Sequence, residues 1–494
     1  MRWAVVLCVA CCLLSLVSDG HAGIWAPGPY VSCVTDNSVV VSWITTSSTS
    51  ANRVDYGLTS SYGSSADSYQ DVAAAEDTGT YYVHSAKMTG LSADTSYYYR
   101  VVSDSAMEDN CGAGWTVRTF PAVGTQSFTF IVYSDTQYSG DASDQPLCHE
   151  KVMRGIVNDT PRLILHGGDI VSSTNNHTQW VGHQQSGDPQ GEFFRIAGSK
   201  FKVMQSVWIA PCRGNHEVQG SYTTLFAKVF ENPYRGNGMG SNTSEEYYAF
   251  DYANARIIFL RHNGSERLGQ ADAQYDWLVS ELQAAQAAGK WIFVVVHQPP
   301  FVPDTDDEGK YNDGFMADLQ AYVVPVFERY GVDMVFSGHN HVTVVWKKAL
   351  HYRGADAAPP VVAQLDQGVH YSIQATDNQD LDRVEAGGNG IVETYVLTNE
   401  PGSTPIEGAY RVKQYDLSVY AAGPDFNSSV LPCYAVVSVN GNTCTVTTKG
   451  MYNAAPDRDS GSTTGTTIDT LTFTRGGAPL PSGAGGSGTA AQSR

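Results

Sequence analysis

Five short apolar runs in this chain each end in a polar block rich in Asp, Asn or His, and that repetition limits the possible folds more than any other feature. Residues 128–133 lead into Ser134-Asp135-Thr136-Gln137, and residues 163–165 lead into His166-Gly167-Gly168-Asp169. Residues 207–210 run up to the loop Gly214-Asn215-His216-Glu217, residues 291–296 deliver His297, and residues 332–336 deliver Ser337-Gly338-His339-Asn340-His341. Helical patterns lie between the later runs. Tyr275, Leu278, Leu282 and Ala285 share one helical face with Gly289 placed as a cap, and Leu319, Val323, Val326 and Phe327 repeat the scheme before Gly331. β-branched runs alternating with helices predict an α/β layer structure, in which ligands bind outside the carboxyl ends of the strands. All five polar blocks are therefore expected to meet in one crevice.

The flanking regions follow another rhythm. Residues 30–120 hold alternating runs such as Ser38-Val39-Val40-Val41-Ser42-Trp43 and Ser96-Tyr97-Tyr98-Tyr99-Arg100-Val101, separated by Ser, Gly and Asn clusters, which predicts a small β-sandwich. β character returns over residues 361–365, 370–376, 392–398 and 434–449, with Asn440-Gly441 as a strong hairpin signal. At the amino terminus, Arg2, an apolar run over residues 3–17 and the small residues of Gly20-His21-Ala22 have the layout of a secretory signal peptide. The expected organisation is a signal peptide (1–22), a β-sandwich (23–121), a catalytic core (126–350), a C-terminal β segment completing it (351–474) and a disordered Gly/Ser/Ala-rich tail (475–494).

Export permits disulfides, and six of the nine cysteines lie beyond the leader. Cys33–Cys111 and Cys433–Cys444 are the expected pairs, each within one β unit, with Cys148 and Cys212 as a possible third. The formal net charge of -20 argues against non-specific attraction to nucleic acid or to an anionic membrane. It also repels anionic substrates, so a phosphate-binding site needs a local positive charge of its own, which bound metal can supply.

Asp135, Asp169, Asn215, His297, His339 and His341 combine carboxylate, amide and imidazole without thiolate, the donor mix for Fe, Zn or Mn. Six donors are too many for one ion and suit two ions sharing one carboxylate. In order on strand ends, Gly168-Asp169, Gly214-Asn215-His216-Glu217, Val294-Val295-Val296-His297 and Gly338-His339-Asn340-His341 resemble the calcineurin-like metallophosphoesterase superfamily. With the fibronectin type III-like sandwich in front, the chain looks most like a purple acid phosphatase.

The resemblance implies an N-terminal fibronectin type III-like β-sandwich followed by a four-layer α/β/β/α domain. It puts Asp135 and His341 on a first metal, Asn215, His297 and His339 on a second, and Asp169 between them. His216 faces the phosphoryl group in this scheme, assisting a leaving group displaced by metal-hydroxide attack. Two departures stand out. Ser172 occupies the place of the tyrosine that colours purple enzymes, and Gln137 occupies the place where other superfamily members carry a histidine ligand. Gln137 either ligates through its amide oxygen or hydrogen-bonds the site.

The expected protein is an exported acid phosphatase acting on small phosphomonoesters through two metal ions, without nucleic-acid or membrane partners once the leader is removed. A phosphodiesterase using the same metals, and a non-catalytic adhesion protein with a vestigial site, remain the alternatives.

Overall fold

The computed structural model of the chain describes residues 23–24, 28–76, 79–137, 145–172, 180, 193–218, 225–235, 238–242, 244–262, 268–269, 272–300, 318–339, 343–349, 369–374, 433–451 and 465–475. The expected signal peptide, the strands at 361–365 and 392–398 and the tail lie outside these residues.

Eight strands form the amino-terminal unit: β1 (Tyr30–Ser32), β2 (Val39–Thr45), β3 (Asn52–Gly57), β4 (Ser64–Glu76), β5 (Gly79–Met88), β6 (Ser96–Ser103), β7 (Ala106–Glu108) and β8 (Trp115–Arg118). They run in the order β1-β2-β5-β4-β3-β6-β7, with β8 also on β6. The long β4 bends the sheet into a sandwich: its first residues pair with β3, and the rest pair with β5. Alternation explains the burial, since Val39, Val41 and Trp43 point one way along β2 and meet Val54, Tyr99 and Val101 in the core. Each fully buried side chain of this kind contributes about 1.5–3 kcal/mol.

The second unit follows with β9 (Ser127–Tyr133), α1 (Gln145–Asn158), β10 (Ile164–His166), β11 (Ile209–Pro211), α2 (Leu225–Val229), β12 (Tyr248–Tyr252), β13 (Ala255–Leu260), α3 (Ala273–Ala287), β14 (Trp291–Val296), α4 (Val324–Tyr330), β15 (Met334–Ser337), β16 (Thr343–Ala349), β17 (Val369–Gln374), β18 (Cys433–Asn440), β19 (Thr443–Gly450) and β20 (Thr466–Thr474). One sheet has the order β11-β10-β9-β18-β19-β20 and the other β12-β13-β14-β15-β17-β16. β9, β10 and β11 are mutually parallel, as are β13, β14, β15 and β17. The inner faces of the two sheets meet through Phe130, Phe293, Phe336 and Val437. Helix α1 covers the outer face of the first sheet, while α3 and α4 cover that of the second. This is the expected α/β/β/α layering, and the C-terminal hairpin β18–β19 completes the first sheet by pairing β18 with β9.

Local signals account for the helix ends. Asp272 caps α3 by accepting the Gln274 N–H at 2.8 Å, and Gly331 ends α4 in the left-handed conformation (φ 67°). The two units share one apolar core. Phe120 packs edge-on against Tyr252 at 4.6 Å and over Trp208 at 6.3 Å, while the Tyr99 hydroxyl donates to Gln205 O at 2.7 Å.

The expected disulfide pairings are corrected. Cys33, Cys212, Cys433 and Cys444 are buried and take part in no disulfide, so none of the three expected pairs forms, although Cys111 is itself disulfide-bonded. In the β18–β19 register Cys444 sits opposite Val439 and Cys433 opposite Gly450, which separates the two thiols by about 20 Å of strand, far beyond the ~7 Å a bridge allows. The Cys33 thiol donates instead to Glu231 O at 3.3 Å, and Cys212 lies between the sheets against Leu260 O at 3.5 Å.

Helix α1 also buries His149, stacked on Phe193 at 5.5 Å and on Tyr133 at 5.9 Å, with Nε2 lacking a hydrogen-bond partner among the described residues. Burial, aided by Arg195, pushes its pKa down from 6.5 to about 3. The folded state thus favours neutral imidazole, and the stability it holds above the unfolded value is lost as pH falls toward the folded one. We expect His149→Phe to keep the stacking and to unfold at lower pH than the parent in an acid titration followed by circular dichroism. An unchanged midpoint would contradict that expectation.

Candidate metal centre

β9, β10, β11, β14 and β15 end at the same edge of the two facing sheets, and their following loops supply the polar blocks. Asp135, Asp169 and His339 all adopt positive φ (57°, 52° and 73°), a conformation that costs non-glycine residues free energy and persists only where neighbours enforce it. The neighbours are backbone bonds between these loops. Asp135 N–H donates to Gly168 O at 3.0 Å, Thr136 and Gln137 N–H both donate to Asp169 O at 3.0 Å, and His339 N–H donates to Asp135 Oδ1 at 2.8 Å. Glycine is required where the loops touch: a Cβ on Gly214 would run into the Asp169 carboxylate, and one on Gly338 into Ser134.

Four of the expected ligands converge. Ligand atoms of Asp169, His297 and His339 all lie within 4.8 Å of one another. His297 Nε2 is 3.0 Å from Asp169 Oδ2 and 3.0 Å from Asn215 Oδ1, which is also 2.9 Å from His339 Nδ1. The His297 Nδ1–H donates to Gly167 O at 2.9 Å, aiming Nε2 at the cluster, the arrangement that orients a ligating imidazole. These donors suit a borderline divalent or trivalent ion.

Asp135 joins them through His339, while His341 lies outside the described residues. Gln137 is buried and its Nε2 donates to Asp169 Oδ2 at 3.4 Å, a hydrogen bond to the site. His216 is the exposed member, with 28% of its side chain accessible against 1% for Asp169. Its backbone N–H donates to Asp169 Oδ1 at 2.9 Å, and its Nδ1–H donates to Ser172 O at 2.8 Å. A carbonyl can only accept, so the neutral ring carries its lone pair on Nε2, 3.8 Å from Asp169 Oδ2.

His166 and Arg213 are each engaged in buried contacts with neighbouring protein groups. The buried His166 fits the tautomer with hydrogen on Nε2: Thr136 Oγ1 donates to Ile170 O at 3.1 Å and accepts from His166 Nε2 at 3.1 Å, while Nδ1 accepts the Gly168 N–H. Arg213 is buried in an ion pair with Glu246 Oε2 at 2.8 Å that Arg261 shares.

Sequence reasoning gave Glu217 no role, yet it is fully buried beneath the ligand loops and receives backbone N–H groups on both oxygens. Burial, then Asp169, push its carboxyl up to about 7. Neither oxygen faces an acceptor for a carboxyl proton, so the geometry supports the ionised form.

Residues 128–343 match the family model for calcineurin-like phosphoesterase, and residues 28–120 match that for the purple acid phosphatase N-terminal domain. Over residues 128–343 the chain is thus similar to the calcineurin-like phosphoesterases. The chain is 28% identical to purple acid phosphatase 1 of Ipomoea batatas, over 61% of this chain and 60% of that protein. It is 25% identical to phosphoenolpyruvate phosphatase of Allium cepa, over 76% and 72% respectively. The fold is that of purple acid phosphatase PPD1 from Lupinus luteus seeds, with a TM-score of 0.59 at 13% identity over 90% of this chain and 74% of that one.

Asp169 and His297 form a buried ion pair. Burial disfavours charge on Asp169 and on His297, but each offsets that cost for the other: the Asp169 carboxyl sits well below the usual range and the His297 pKa rises to about 9. A proton therefore occupies the edge that a metal needs. We expect metal binding near neutral pH to release about one proton from this pair and to strengthen as pH rises toward the His297 value. Calorimetry in buffers of different ionisation enthalpy measures this directly, and a buffer-independent binding heat would count against it.

Proposed function

We propose that this protein is an exported acid phosphatase that hydrolyses small phosphomonoesters at a centre of two metal ions. The observation that carries the reading is the convergence of Asp169, Asn215, His297 and His339 under the exposed ring of His216. Asn215, His297 and His339 would hold one ion, Asp135 and His341 the other, and Asp169 would lie between them, with Gln137 steadying Asp169. When bound, the metals supply Lewis acidity and neutralise charge on the phosphoryl oxygens. That local positive charge answers the net charge of -20, which otherwise repels the substrate.

The chain's own residues do the remaining work. His216 Nε2 faces the open side, where the protonated ring donates to a phosphoryl or leaving-group oxygen and the neutral ring accepts. Ser172 stands where purple relatives have tyrosine, so we infer a centre without tyrosinate, colourless with respect to that charge transfer. Relatives named for acid phosphatase and for phosphoenolpyruvate phosphatase support a monoester substrate. The leader-like residues 1–22 support export, and among the described residues no helix is long and apolar enough to cross a membrane. The same reading takes residues 23–121 as the sandwich module and 126–474 as the catalytic domain.

The metal-loaded protein should turn over an aryl phosphate faster than a bis-aryl phosphate across a pH series; the reverse preference would indicate a diesterase, and no turnover a vestigial site. His216→Ala should lower kcat by about 10²–10⁴-fold with metal content unchanged. Asp169→Asn should lose both metal and turnover, and a strong visible tyrosinate band in the pure protein would refute the colourless centre.

A further inference from the structure

Two loops carry most of the centre, one after β10 with Asp169 and one after β11 with Asn215 and His216, and β10 and β11 are adjacent in the sheet. Between these loops lies the fully buried side chain of Glu217. Its Oε2 accepts the N–H of Gly214 at 2.8 Å and of Asp169 at 3.0 Å, and its Oε1 accepts those of Ile170 at 2.8 Å and Val171 at 3.2 Å. A carboxylate offers about four lone-pair sites, and four N–H groups occupy them, so no lone pair is left for a metal or a substrate. An ion this deeply buried is tolerated only with such complete hydrogen bonding.

The donors are informative. Three belong to consecutive residues beginning with Asp169, whose φ of 52° is one of the unfavourable conformations of the site. The fourth belongs to Gly214, which abuts the Asp169 carboxylate and directly precedes Asn215.

We propose that Glu217 is a positioning residue that fixes the separation of the two ligand-bearing loops through these four backbone bonds, and thereby the metal affinity of the centre. It touches neither the reacting atoms nor the ions. The inference rests on the reading of Asp169 and Asn215 as metal ligands. A glutamine in place of Glu217 would preserve size but offer one acceptor oxygen and an NH2 group that faces two N–H donors, whereas an aspartate is one methylene too short to reach both loops.

The test uses the full chain. Hydrogen exchange in the metal-free wild type should show slow amides in peptides covering residues 168–171 and 214, and exchange as fast as in exposed loops overturns the proposal. Glu217→Gln and Glu217→Asp should speed exchange in those peptides and weaken binding of Zn²⁺ or Mn²⁺ by about 10–100-fold in equilibrium dialysis. Turnover should recover at saturating metal, with the loss residing in metal dependence rather than in KM. Unchanged affinity in a folded variant, or a kcat that saturating metal does not restore, also overturns it. If the wild type binds no metal, the phosphatase reading fails, while exchange still decides whether Glu217 braces the loops. If neither variant folds, the wild-type exchange pattern decides.

Discussion

A charge buried in a protein must be answered by another charge or by hydrogen bonds, and the ligand loops of this structure are arranged around that requirement. Asp169 is answered by His297 on one oxygen and by the His216 N–H on the other, and Glu217 is answered wholly by backbone. Because these answers come from different loops, no one loop can move without leaving a charge exposed to an apolar surrounding. Three residues held at positive φ show the other side of the same constraint, since their backbone cost is met by bonds to neighbouring loops.

The layers beneath make such a site possible. Parallel strands deliver their carboxyl ends to one edge, and the two sheets face each other through aromatic side chains, Phe130 meeting Phe293 edge-on at 5.0 Å. β14 is buried along its whole length, which explains why Val294-Val295-Val296 is unbroken by polar residues until His297. The sandwich adds to the rigidity, because Phe120 inserts among Trp208, Phe250 and Tyr252 behind the strand that precedes Asn215.

The parts legible in the sequence were those in which cause and effect are neighbours in the chain. An apolar run followed by Gly-Asp or Gly-His states its own geometry, so the five strand ends and the helices before Gly289 and Gly331 were readable. Helix α1 was not, because its buried surface includes His149, Glu150 and Lys151, which erase the apolar period. Nor was β4, where Ala73-Ala74-Ala75 favours helix by propensity and becomes strand through pairing with β5. The cysteines misled because hairpin proximity in sequence says nothing of register. Glu217 was visible as a letter in a motif, but its role depends on backbone groups more than 40 residues away, which no local pattern encodes.

Ser172 acts on the site through its backbone. The hydrogen bond that fixes the His216 tautomer runs to the backbone carbonyl of Ser172, and any side chain at this position presents the same carbonyl. A change of side chain here leaves the hold on the His216 ring untouched. The serine hydroxyl is buried without a hydrogen-bond partner among the described residues. The placement of the His216 proton thus rests on the backbone of Ser172 and not on its side chain.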